Sequence, residues 1–157
     1  MGASAAWGKY TMRRFALAAL GAATMFCALP AAAQEIPLAN GSFWNVTEVT
    51  IDDGHFSNYA DYLAGEYRKQ QDFAKSKGWI KDYYILANSN KRTGEPDLYL
   101  VQIFDHMTTP AEDLAREKDI NAFMQQTTRQ GEAGSGERAK YRHIGGNMLL
   151  QEQIYKH

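Results

Sequence analysis

The sequence predicts an α+β fold in one domain, with strands and helices in the order β-α-β-β-α-β. Three observations carry this. A β-branched run is followed by a long helical apolar period. Two apolar strands then flank a polar loop. Last, a strong helix-start signal precedes one more apolar strand. The chain has 157 residues, a length that suits a single domain.

The first strand is read over 44–51. Val46, Thr47, Val49, Thr50 and Ile51 are β-branched and suit a pleated surface, and Asp52-Asp53-Gly54 ends the run. Residues 34–43 before it read as a loose lead-in, so the folded domain is expected over 44–157. The first helix follows at about 55–77. Phe56, Tyr59, Ala60, Leu63, Tyr67 and Ala74 recur at three- and four-residue steps. Asp53 is the expected N-cap, and Gly78 the expected left-handed end.

Strands at 81–88 and 98–104 flank Asn88-Ser89-Asn90-Lys91-Arg92-Thr93-Gly94-Glu95-Pro96 and read as a hairpin with a long polar loop. Thr109-Pro110-Ala111-Glu112 is a capping box with Pro at the first helical position, so a second helix is expected from Ala111 to about Gln130. Its apolar side is thin: Leu114, Ala115, Ile120, Phe123 and Met124. The Gly-rich stretch 131–137 reads as a loop, Gly145-Gly146 as a bend, and 147–155 as the last strand.

This order is that of the split βαβ, ferredoxin-like arrangement. Its expected sheet order is 4-1-3-2, with two helices on one face and strands one and three as parallel neighbours. A sheet covered on one face should alternate apolar and polar residues, and these strands do not. Leu98, Leu100 and Phe104 oppose Tyr99, Val101 and Ile103; Tyr83 and Ile85 oppose Tyr84 and Leu86; Met148, Leu150 and Ile154 oppose Leu149 and Tyr155. Apolar surface on both faces needs two covers, and a second copy of the sheet is the expected one.

In element order and two-sided strands, residues 44–155 resemble the dimeric α+β barrel superfamily. That group includes antibiotic-biosynthesis monooxygenases, haem-degrading enzymes and NIPSNAP-like proteins. The resemblance implies a face-to-face homodimer. The haem-degrading branch uses an Asn, Trp and His set with its His on the second helix. The expected second helix here contains neither His nor Trp, so that activity does not carry over.

The N-terminus reads as an address. Lys9, Arg13 and Arg14 are basic, no acid precedes Glu35, an apolar run reaches Leu29, and Pro30 leads into Ala31-Ala32-Ala33. Basic, apolar, then small residues is the order of a secretory signal peptide, expected to be cleaved before Gln34. Phe15 directly after Arg13-Arg14 argues against a twin-arginine signal, Phe26 argues against lipid attachment at Cys27, and Met12 is an alternative start. Removing 1–33 takes three of 17 bases and none of 18 acids, which leaves a Cys-free chain of net charge −4. The expected location is the periplasm or the medium, with no membrane contact after cleavage. A weakly acidic chain gives no basis for a nucleic-acid partner.

Two groups of residues are candidates for chemistry. With strands one and three parallel, Asp52, Asp53, His55, Asp105, His106 and His143 would gather at one rim. Imidazoles and carboxylates together suit a metal ion or acid–base work, although the same residues also serve as caps and turns. A second group, Tyr59, Tyr62, Tyr67, Trp79, Tyr83 and Tyr99, could line a cavity for an apolar or aromatic ligand, or could simply fill the core. There is no phosphate-binding Gly loop, H-E-x-x-H or G-x-S-x-G, and nothing calls for a cofactor. The expected function is an exported small-molecule-binding protein without a catalytic motif. The alternatives are a cofactor-independent, monooxygenase-like enzyme and a metal-dependent activity at the His/Asp rim.

Overall fold

The computed structural model describes residues 36–156; the segment expected as a signal peptide, with Cys27, and His157 lie outside the described residues. The elements are β1 (Leu38–Ile51), α1 (Phe56–Tyr62), a π-helical turn (Leu63–Tyr67), α2 (Arg68–Ser76), β2 (Asp82–Ala87), β3 (Leu98–Phe104), α3 (Pro110–Met124), α4 (Thr128–Arg138) and β4 (Arg142–Tyr155). The fold is α+β, built on one four-stranded sheet in the order β2-β3-β1-β4 in which every neighbouring pair is antiparallel.

The parallel pairing expected for β1 and β3 is therefore corrected: Val46 faces Val101 and Val49 faces Leu98 in an antiparallel ladder. The reason is topological. A crossover through a helix makes β1 and β2 parallel. The hairpin makes β3 antiparallel to β2, so β3, lying between them, opposes both. The first and last strands, β1 and β4, are also longer than expected. β1 begins at Leu38, inside the expected lead-in, because Leu38 pairs with Tyr155 and Ala39 with Ile154. Gly145 and Gly146 lie within β4, at a register shift opposite Glu48. There the backbone runs so close that a Cβ on Gly145 would sit 3.1 Å from a Glu48 carboxylate oxygen. These residues form a bulge.

α1, the π turn and α2 run on as one rod, with helical backbone at each junction. Asp53 does not cap it. The N-cap is His55 without a side-chain bond, and the His55 amide donates to the Asp52 carbonyl through a turn that Gly54 completes at φ +82°. The rod buries Tyr59, Leu63 and Tyr67 against Val49, Leu98 and Leu100. Val46, Val101 and Ile103 form a second buried cluster, with Trp44 and Tyr99 packed on it. Alternation along the strands puts that cluster on the opposite face of the sheet.

The second helical region departs from the expected single helix. Gln125 adopts a left-handed conformation at φ 55° and ends α3. Thr127 and Gln130 then form a second capping box, which starts α4 through Gly131, Gly134 and Gly136. The stretch expected as a loop is thus helical. α3 leans on α2 through Phe73 and Phe123, stacked at 4.1 Å, and through Lys77 and Asp119 at 3.7 Å. α4 is held at its end by Arg138, which lies 3.8 Å from the Tyr62 ring centroid and 3.5 Å from Glu66. Among the described residues no helix is long and apolar enough to cross a membrane.

Candidate functional site

The antiparallel pairing splits the expected His/Asp rim into two ends of the sheet. At the end of β1, His143 Nε2 lies 3.0 Å from Asp52 Oδ1, both exposed. His55 stacks on Tyr141 at 5.1 Å, with its Nδ1 buried and without a hydrogen bond. Asp53 sits exposed in the adjoining turn. At the opposite end, Asp105 accepts a hydrogen bond from the Ser42 hydroxyl (2.9 Å) and pairs with Lys81 (3.1 Å). Lys81 and Ser42 hold its carboxyl below the usual carboxylate range. His106, one residue on, faces Glu112 at 3.9 Å. Among the described residues no three His, Cys, Asp or Glu side chains are grouped to hold a metal ion. The proposed set Asp52, Asp53, His55, Asp105, His106 and His143 is corrected on that ground.

The six aromatic candidates also separate. Tyr59, Tyr62, Tyr67 and Tyr83 form one chain of ring contacts, at 5.6, 6.2 and 6.2 Å, beneath the helical rod. Burial pushes the Tyr59 phenol up to about 12 and raises Tyr62 and Tyr67 as well. Nearby Arg142 and Arg138 offset part of this at Tyr59 and Tyr62. The Tyr67 hydroxyl is buried without a partner, an arrangement that costs roughly 1–3 kcal/mol. Tyr83 instead reaches outward and donates to Asp72 at 2.8 Å. It borders an apolar groove of about 360 Å³ beside β2, with Phe56, Leu63 and Ile85. Tyr99 lies on the opposite face of the sheet, in the cluster of Val46 and Val101. These tyrosines are mainly core, and the space they border is a surface groove.

Trp79 belongs to a different place. A cavity of about 230 Å³ lies between the start of α3 and the β3 end of the sheet. Ala74, Ile80, Phe104, Met107 and Ile120 give it apolar walls; Trp79, Gln102, His106, Thr108, Asp113 and Arg116 supply polar groups. The loop after α2 carries Trp79, which packs edge-on against Phe73 at 5.6 Å. The guanidinium carbon of Arg116 lies 5.4 Å from the Trp79 ring centroid, within cation–π range. The Gln102 amide donates to Gln71 at 2.7 Å, which fixes that wall. A more open hollow of about 390 Å³ lies beside it and shares Trp79, His106 and Arg116 with Glu112 and Asp119.

Of the sequence candidates, only Trp79 and His106 meet here, each taken from a different expected site. Arg116 was missed. Asp113, Arg116 and Ile120 stand three and four residues apart, on one face of α3. A face that mixes charge with one apolar residue leaves almost no amphipathic signal, so periodicity could not single it out. No family model matches this chain, and no curated protein matches it.

Proposed function

We propose that this protein is an exported small-molecule-binding protein. In this reading it is a ferredoxin-like domain that pairs with a second copy through the sheet face opposite the helical rod. The observation that carries the binding reading is the cavity at Trp79, Arg116 and His106. It is concave and apolar-walled, with a few polar groups converging on it, the usual make-up of a ligand site. An apolar cavity of about 150 Å³ already accommodates benzene, so the 230 Å³ here suits a ligand of one or two rings.

The strand order, read from the β4 edge as 4-1-3-2, supports the ferredoxin-like assignment. Support for the dimer comes from Tyr84, Leu86, Met148 and Leu150, which share a face by strand alternation and are each 40–51% exposed. A contiguous apolar surface of this kind usually marks an interaction face. The monooxygenase-like reading gains no support, since no tyrosine lines the cavity that holds His106.

Native mass spectrometry of the protein, exported by a bacterial host and purified gently without chelator, tests both parts. The expected result is a processed dimer with added mass from a retained ligand. A monomer at micromolar concentration sinks the dimer. If the protein carries no added mass and small aromatic compounds leave the Trp79 indole NMR signal unmoved, the binding reading fails.

A further inference from the structure

Resting on the binding reading above, we propose that the cavity selects aromatic ligands that carry an anionic group, with Arg116 as the anchor. Arg116 is half-buried. Its guanidinium lies over the Trp79 ring, and its charge is felt by Glu112 one turn earlier on α3, but no described carboxylate lies within 4.0 Å of it. Arg68, Arg92 and Arg138 differ, each holding a carboxylate: Asp72, Glu95 and Glu66. A guanidinium carries five N–H donors in a planar fork that matches a carboxylate or phosphate edge. At Arg116 that fork makes no hydrogen bond with a described residue, and it borders the cavity.

The surrounding acids are already engaged or hydrated. Glu112 accepts from the Thr109 amide and hydroxyl at 2.7 and 2.8 Å, and Asp119 pairs with Lys77. Asp113 borders the cavity but is exposed, where water screens its repulsion of an incoming anion. His106 faces Glu112 from the loop before α3. The apolar walls at Ile80, Phe104 and Ile120 leave room for rings. Arg116 and Trp79 border the same cavity and touch each other, so one ligand can meet the guanidinium with its anionic edge and the indole with its rings.

The test compares naphthalene-2-carboxylate with its neutral isostere 2-naphthamide, titrated into the full chain while the Trp79 indole ¹⁵N–¹H signal is followed. The carboxylate should bind about ten-fold more tightly, a difference of ~1.4 kcal/mol. R116Q should abolish that preference, so that the carboxylate binds no more tightly than the amide, and R116K should retain part of it. D113N should tighten the carboxylate a few-fold. Equal binding of both probes, or a carboxylate preference that survives R116Q, overturns the anionic selection while the cavity reading stands. If neither probe moves the Trp79 signal, the cavity reading falls and the inference with it. If D113N weakens the carboxylate, the charge argument is wrong.

Discussion

The two helical regions of this molecule are held by different forces. The rod from Phe56 to Ser76 buries Tyr59, Leu63, Tyr67, Gln71 and Ala74. α3 and α4 together bury none of their residues. The rod has ordinary helix beginnings and no side-chain cap, yet it docks through a broad apolar stripe. α3 and α4 each begin with a complete capping box and touch their surroundings at a few points: Phe123, Asp119, Arg138. One region is fixed by burial, the other by its ends. Burial scales with apolar area at about 25 cal/mol per Å², whereas a cap is worth about 1 kcal/mol. The cavity beside α3 is therefore built on the more yielding side of the fold.

The sharpest way to break this contrast is to truncate one residue in each region. Tyr59, 1% exposed, carries the rod's central contact with the sheet, while Leu114 on α3 is 69% exposed. Tyr59→Ala should cost about 3–5 kcal/mol, the range for removing a buried ring. Leu114→Ala should stay within about 0.5 kcal/mol, as surface changes do. Urea unfolding with unchanged m-values checks both. Comparable losses would mean that α3 is buried by something beyond the single chain.

The same contrast explains what the sequence made legible. The rod was readable almost to the residue because Tyr59, Leu63 and Tyr67 announce a helix by spacing alone. β3 was readable because Leu98, Leu100, Val101 and Ile103 are apolar on both faces. The start of α3 was readable because Thr109-Pro110-Ala111-Glu112 is a local signal, complete within four residues. Departures arise where a remote contact decides, where element order decides, or where composition masks a local signal. Leu38 is a strand residue only because Tyr155 lies opposite it. Asp52 and Asp105 share a rim only if β1 and β3 are parallel, whereas a helical crossover followed by a hairpin already makes them antiparallel. The helix through Gly131, Gly134 and Gly136 is masked by its glycine-rich composition, although its capping box at Thr127 and Gln130 is complete within four residues. The cavity combines Trp79 from one loop with Arg116 from α3, and neither position carries a pattern that points to the other.

A second expected effect belongs to the buried side alone. The Tyr59 phenol titrates at about 12 in the folded chain because burial disfavours the phenolate, against an ordinary value near 10. The folded state therefore holds this proton through a range in which the unfolded chain has released it. The contribution to stability is fully present below pH 10 and is lost as pH rises from 10 toward 12. Ultraviolet titration at the phenolate band should show Tyr59 and Tyr67 ionising late, together with the fall in urea midpoint. Ionisation of every tyrosine near pH 10 in the still-folded protein would show that the cluster is open to water.

The smallest effect probes the other side and has the opposite sign. α4 carries three glycines in 11 residues, and a glycine inside a helix costs up to about 1 kcal/mol relative to alanine because the unfolded chain is freer. At Gly136 a Cβ would meet nothing within 4 Å, and its φ is not positive. At Gly134 the added atom would press on the Arg138 guanidinium at 3.3 Å, and Arg138 is the group that ties α4 to Glu66 and Tyr62. Gly136→Ala should therefore raise stability by about 0.4–1 kcal/mol, seen as a higher urea midpoint and slower amide exchange along α4. Gly134→Ala should gain less, because the same entropic term is offset by a displaced Arg138. If both substitutions gain equally, the Arg138 anchor contributes little and the capping box alone holds α4. If Gly136→Ala destabilises, the helix through the glycines is not the ground state of this segment.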